Sequence, residues 1–365
     1  MPVLQKIVVQ DFRNIELQEL SFSPNVNCIS GGNGQGKTNL CDAIYYLSMT
    51  KSYSGSPDQF NYRHGTKGFS IAGTYAMESG LRSTFAIQSC DGGDKKLRRD
   101  DKPYKRLSDH IGVLPVVMVS PADVSLVSEG GEQRRRFVNA VLSQTDHEYL
   151  ASLQQYNRLL QQRNALLKDG HWDETLMLTI DAGMSRLSAI IKKRREAFIA
   201  ETAPVVERYY EQISGGHETV ALRYRSDLDK APLEELLLAG RERDRMLGYT
   251  LFGVQRDDFE FTMDGYPIRK CGSQGQQKSF LVALKFAQYE VMKGKYGFAP
   301  TLLLDDLFDK LDQERVANLL TMVAGQDFGQ IFLSDTSSGR LSEIIDGVTQ
   351  DRAYFEAREG TFKTK

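Results

Sequence analysis

Eight consecutive residues, Gly31-Gly32-Asn33-Gly34-Gln35-Gly36-Lys37-Thr38, carry the spacing G-x-x-x-x-G-K-T. Glycines at 31 and 36 let successive backbone N–H groups curl around phosphate oxygens. Lys37 is placed to reach the β- and γ-phosphates, and the Thr38 hydroxyl to ligate Mg²⁺. A Gly-rich turn capping a helix is the bland alternative, and the surrounding pattern argues against it. Far downstream, Leu302-Leu303-Leu304-Asp305-Asp306 is an apolar run ending in two carboxylates. In that arrangement the first, Asp305, holds the metal and the second, Asp306, orients or deprotonates an attacking water. A third stretch, Gly272-Ser273-Gln274-Gly275-Gln276-Gln277-Lys278-Ser279, combines small residues, hydroxyls and amides at a helix start, where backbone donors and the helix dipole favour a γ-phosphate. Read alone, it is also an ordinary N-capped helix entry.

The elements around these motifs fit that chemistry. Apolar, β-rich runs at 4–11 and 26–29 predict strands, and Leu40, Ile44 and Leu47 give helical spacing directly after the glycine loop. Alternation at 69–75 and 84–88, with the turn Asp91-Gly92-Gly93-Asp94, predicts antiparallel strands, followed by an apolar strand over 114–119. Helical periodicity then takes over. Leu150, Leu153, Leu159, Leu160 and Leu166 mark one helix, and Leu176, Ile180, Met184, Leu187, Ile191 and Phe198 another. Strands return at 220–224 and 259–263, a helix at 276–292, and strands at 302–304 and 330–333. The expectation is an α/β fold of three stretches: a first part of the head over 1–120, a helical lobe over 121–215, and a return to the head over 216–365.

Composition narrows the function classes. Forty-six Lys and Arg against 48 Asp and Glu leave a formal net charge of −2, which excludes a uniformly cationic nucleic-acid coat. Cys28, Cys41, Cys90 and Cys271 are widely separated and lack a C-x-x-C, so neither a zinc site nor a disulfide framework is indicated. The opening residues lack a signal-peptide pattern, and no run of about 18 apolar residues follows, so a cytoplasmic protein without a membrane span is expected.

In order along the chain, the phosphate loop, the Ser-x-Gly-Gln helix start, the Asp-Asp strand and Asp309-Lys310-Leu311-Asp312 resemble the ATP-binding-cassette (ABC-type) ATPases. That resemblance implies an ABC-type P-loop ATPase head of mixed sheets and helices. It also implies ATP and Mg²⁺ as cofactors, and a signature motif (Ser273, Gly275, Gln276) that serves the nucleotide of a second subunit, so that two ATPs are sandwiched in an ATP-dependent homodimer. The 236 residues from Lys37 to Ser273 suit a modest helical insert rather than a long coiled coil.

The chain is similar to the RecF family of bacterial recombination mediators. The likeness rests on Phe12-Arg13-Asn14, GGNGQGKTNL, Ser120-Pro121-x-Asp123, Arg134-Arg135-Arg136-Phe137, Gln162-Arg163-Asn164-x-Leu166-Leu167, Gly253-x-x-Arg256-Asp257-Asp258 and GSQGQQKS. This resemblance implies action at single-stranded gaps in DNA, recombinase loading with RecR and RecO, and links to repair, replication and the SOS response. Two departures from the wider ATPase pattern favour a switch over a motor. Position 306 is Asp where most of these enzymes carry Glu, which implies slow hydrolysis. All five His (64, 110, 147, 171 and 217) precede Asp305, so Ser334, Asp335 or Thr336 must stand in for the usual switch His.

Two other classes stay open on the sequence: a motor or transport ATPase, and an ATP-gated scaffold without DNA affinity of its own. No DNA-contacting residue is assigned. Lys95 to Arg106, Arg134 to Arg136 and Lys192 to Arg195 are cationic enough to meet phosphates, yet serve equally as salt-bridged faces, since Asp94, Asp100 and Asp101 interleave the first. Trp172 and Tyr209-Tyr210 fit core packing better than base stacking. Arg256-Asp257-Asp258 fits either an ion network or a structural turn.

Overall fold

Hydrophobic alternation and β-branched content set the first third of the chain. β1 (Val3–Phe12) and β2 (Ile15–Ser21) form a hairpin, β3 (Val26–Ser30) is buried at every residue, and α1 (Lys37–Met49) follows the glycine loop. β4 (Gly68–Ala76), β5 (Arg82–Cys90), β6 (Lys96–Arg99) and β7 (Lys102–Pro103) continue the antiparallel pattern, and β8 (Val116–Val119) is again wholly buried. The helical stretch comprises α2 (Val124–Ser128), α3 (Gly131–Thr145), α4 (His147–Asp169) and α5 (Glu174–Ser214). Next come β9 (Val220–Arg225), α6 (Leu233–Leu247), β10 (Asp258–Met263), β11 (Tyr266–Pro267), α7 (Ile268–Cys271) and α8 (Gln274–Tyr296). The chain closes with β12 (Thr301–Leu304), β13 (Ile331–Asp335), β14 (Arg352–Arg358) and β15 (Thr361–Thr364). This computed structural model describes residues 1–169, 173–216, 218–306, 328–337, 339, 342, 345–347 and 349–365.

The chain packs as two units, Met1–Asp123 with Gln288–Lys365, and Val124–Ala287. The first holds two six-stranded sheets. One is antiparallel, in the order β2-β1-β4-β5-β6-β7, with one face buried and one exposed along β5, as its alternating sequence requires. The other runs β15-β14-β3-β13-β12-β8, parallel except for the β14–β15 hairpin. Its central strands β3 and β13 are buried at every residue because both faces are covered, the polar Asn27, Ser30, Ser334 and Asp335 included. β13 lies between β3 and β12, so the loop after β3 and the carboxylates after β12 emerge at the same end of neighbouring parallel strands, where ligands of such sheets bind.

The second unit is built on α4 and α5, with the three-stranded sheet β11-β10-β9 packed on α5 and α3. Its hub is Arg163, wholly buried on α4, which pairs with Asp181 of α5 at 2.7 Å and Asp244 of α6 at 2.6 Å. The sequence boundary at 215 and the packing boundary at Ala287 therefore differ: β9 and β10 alternate like head strands, but the surface that covers them is the helical unit's own. The sequence reading also lacks α6 and the terminal hairpin β14–β15.

Candidate functional site

The phosphate loop is shaped by what surrounds it. A Cβ on Gly31 would sit 2.5 Å from the Ala357 carbonyl oxygen of β14, and Gly36, with φ of 109°, caps α1 in a conformation side chains avoid. The turn between β14 and β15 braces the loop from outside. The Glu359 N–H donates to the Gln35 side-chain oxygen and the Gly360 N–H to the Gln35 carbonyl. Gly32, Asn33 and Gly34 are exposed at the loop's crest. From the inner side, Arg13 in the β1–β2 turn pairs with buried Asp42 of α1 at 2.5 Å and donates to Asn39, Ser52 and Asn61, while Asn39 donates to Asn14. Burial pushes the Asp42 carboxyl up, and Arg13 with the Tyr53 N–H opposes it. This clamp was legible only as the Phe12-Arg13-Asn14 block, with no chemistry attached.

Lys37 is buried. Its ammonium donates to the Gly31 and Gly32 carbonyls at 2.8 and 3.2 Å and lies 3.6 Å from Asp306. A cation held this way over the loop is available to phosphate oxygens without crossing solvent. Asp305 ends β12 almost wholly buried. One of its oxygens accepts from the Ser334 hydroxyl at 2.6 Å, while the other, Oδ2, has no hydrogen-bond partner. Burial raises its pKa, and the Ser334 and Thr38 hydroxyls oppose that shift. An orphaned carboxylate oxygen beside an exposed threonine hydroxyl is a donor set that suits a hard divalent cation. Asp306 is more exposed, has φ of 43°, and its N–H donates to the Ser334 oxygen.

Of the three residues offered for the switch position, Ser334 of β13 is the one that touches both carboxylate residues. Asp335 instead accepts from the Ser337 N–H and the Thr336 hydroxyl. Asp309-Lys310-Leu311-Asp312, His171, Trp172 and His217 lie outside the described residues.

In the second unit, Ser273 precedes α8 and forms a reciprocal cap with Gln276. The Gln276 N–H donates to the Ser273 hydroxyl oxygen, and the Gln276 side-chain oxygen accepts from the Ser273 N–H. Capping uses the hydroxyl as acceptor and leaves its O–H free to donate. Gly275 is half-buried in the first turn, and the Gln276 amide is anchored on Glu218 at 2.7 Å. The helix entry is thus what the residues form here, and it leaves the Ser273 side chain exposed.

The cationic stretches divide. Lys192 and Arg194 are paired with Glu196, Asp229, Asp146 and Glu148, and Arg195 is buried against Asp257, so that cluster largely serves the fold. Arg256-Asp257-Asp258 feeds the same ion network through Asp257 and through the Arg134–Asp258 pair, while Arg256 is exposed. Around β6 and β7, Lys95 pairs with Asp58 and Arg99 with Asp100. Lys96, Arg98, Lys102, Lys105 and Arg106 stand exposed, with no carboxylate within 4 Å among the described residues. Tyr210 is core, and Tyr209 packs edge-on against Phe286. Among the described residues no helix is long and apolar enough to cross a membrane.

Comparison with known proteins adds a lineage to this geometry. A family model described as AAA domain matches residues 6–194. A Bacteroides thetaiotaomicron protein named DNA replication and repair protein RecF is 44% identical over 360 residues, 98% of this chain and 97% of the relative. A Porphyromonas gingivalis protein of the same name is 43% identical over 359 residues, 98% of this chain and 99% of that one. Among solved structures, the recombination mediator protein RecF with ATP superposes with a TM-score of 0.90 at 28% identity, covering 100% of this chain and 98% of that one. An Smc head domain from Pyrococcus furiosus reaches 0.58 at 14% identity, covering 100% and 96%, a likeness of fold alone. The fold is that of an ABC-type ATPase head.

Proposed function

Since the chain belongs to the RecF family, we propose that it is an ATP-gated DNA-binding protein of replication and repair that mediates recombination. The observation that carries this reading is the convergence of Lys37, Thr38, Asp305 and Asp306 at one end of the parallel sheet, on a loop shaped for phosphate. Gly31 to Thr38 hold the triphosphate by backbone N–H groups and the Lys37 ammonium. Thr38 and the free oxygen of Asp305 would hold Mg²⁺, which when bound neutralises charge on the β- and γ-phosphates. The Ser273 hydroxyl, with Gly275 and Gln276, then meets the γ-phosphate of the ATP in a second copy, so that ATP joins two protomers on single-stranded or gapped DNA.

Asp306 is the group placed to orient the water. Its side chain is one methylene shorter than Glu and is drawn toward Lys37, which supports slow hydrolysis used to reset the switch. In this reading weak, DNA-stimulated ATP turnover accompanies recombinase loading with RecR and RecO in the cytoplasm, including the SOS response. The test is retention of a labelled gapped duplex at fixed salt. Binding is expected with ATP and Mg²⁺, and is lost without nucleotide and in Lys37→Met. Nucleotide-independent binding, or fast turnover indifferent to DNA, would replace this reading with a motor. Absence of binding to bare DNA would replace it with a partner-recruited scaffold.

A further inference from the structure

The second unit contains a cavity of about 220 Å³ between α3, α4, α5 and the segment before β10, remote in sequence from the phosphate loop. Arg135, Arg136 and Arg195 line it. Two of these cations are committed. Arg195 is buried against Asp257, the Tyr149 hydroxyl and the Val254 carbonyl, and Arg136 pairs with Glu132 at the exposed rim. Arg135 is different. It is half-buried, donates one N–H to the Asp257 carbonyl oxygen at 2.7 Å, and has no carboxylate within 4 Å among the described residues. Burial, and then the neighbouring Arg195, hold its pKa below the ordinary arginine value. Asp258, Glu132 and Asp257 oppose that lowering from beyond ion-pair distance, so no carboxylate holds the Arg135 fork directly and its remaining N–H groups stay open to an anion.

The neutral groups point the same way. The Asn139 oxygen accepts from both the Tyr149 hydroxyl and Arg195, which fixes the amide's orientation and leaves its NH₂ as a donor. Asn157, exposed on α4, adds a second amide to the lining. Two acceptors of the cavity are already occupied. The Gln255 oxygen takes the Tyr156 hydroxyl and the Val254 carbonyl takes Arg195. With Glu132, the carboxylate of the lining, engaged by Arg136, the donors that remain open suit an anionic acceptor.

We infer that this cavity is a phosphate-group site, with Arg135 as its principal ligand and the Asn139 and Asn157 amides as neutral donors. Its ligand is a tetrahedral phosphate oxyanion, either free or carried in a nucleic-acid strand. The site is independent of nucleotide binding at the loop after β3.

The test uses the full chain carrying Lys37→Met, so that the phosphate loop does not dominate. Inorganic phosphate and an unstructured oligothymidylate are titrated by calorimetry at constant ionic strength set with chloride. Arg135→Gln removes the charge, and Asn157→Asp adds a repelling carboxylate at an exposed position where folding is not at stake. Each is expected to weaken phosphate about tenfold or more, the loss of one hydrogen bond to a charged group. If the strand weakens in parallel, nucleic-acid phosphate is the source. If only inorganic phosphate weakens, the source is a free phosphate. Phosphate affinity unchanged in Asn157→Asp, or absent from the Lys37→Met chain, overturns the assignment.

Discussion

Asp305→Asn should stabilise the chain while disabling its metal-dependent function. Asp305 is 1% exposed, one of its oxygens lacks any hydrogen-bond partner, and Asp306 adds a like charge next door. A buried polar group left unsatisfied costs about 1–3 kcal/mol, and an ionised one costs more than a neutral amide of the same shape. Asn keeps an oxygen to accept from Ser334 and removes the charge, so a gain of about 1–2 kcal/mol is expected. For a unit of this size that is a rise in Tm of roughly 2–8 °C. The assay is thermal unfolding followed by circular dichroism in EDTA, paired with calorimetric titration of ATP with and without Mg²⁺. The opposed signs are what matter, since a merely structural Asp would show loss of both stability and binding. A lowered Tm in EDTA, or an unchanged Mg²⁺ dependence of ATP affinity, would refute the reasoning.

Lys37→Met should weaken ATP by about 10- to 100-fold, the range for losing a charged hydrogen-bonding partner, with little change in the far-ultraviolet spectrum, as calorimetry and circular dichroism would report. Arg163→Leu leaves Asp181 and Asp244 buried without their counter-charge and should cost about 3–5 kcal/mol in urea unfolding of the full chain. His110 is buried, with Nε2 donating to the Leu47 carbonyl at 2.6 Å and Nδ1 accepting from the Tyr104 hydroxyl, and burial lowers its pKa from 6.5. The unfolded chain therefore takes up a proton that the folded one refuses. Stability should fall as pH drops below about 6.5, and this dependence should be reduced in His110→Gln, as denaturant midpoints across pH 5 to 7.5 would show.

Residues whose chemistry is local were readable from the sequence. The glycine loop needs its own backbone freedom, the carboxylates need only a buried strand before them, and Ser273 and Gln276 announce a helix start by their spacing of three. What escaped depends on partners distant in sequence. The β14–β15 turn braces Gln35 from more than 300 residues away, and its strand alternates apolar and charged residues too briefly to stand out. Ser334 could not be chosen over Asp335 or Thr336 until β13 was placed between β3 and β12. The lobe boundary at 215 followed the change of periodicity, but packing follows which surface covers β9 and β10, and that surface is α5 for β9 and α3 for β10. Cationic runs look alike in sequence. Only carboxylates brought in from Asp146, Asp229 and Asp257 separate the structural cations Arg194, Lys192 and Arg195 from Arg135 and from the exposed cations around β6.

The account stands most directly on whether ATP joins two copies through the cap of α8. Molar mass in solution, by light scattering, should double on adding ATP and Mg²⁺, stay doubled with a gapped duplex co-eluting, and remain that of a single chain in Ser273→Arg even though that variant still binds ATP. A mass indifferent to nucleotide, or doubled equally in Ser273→Arg, would contradict it.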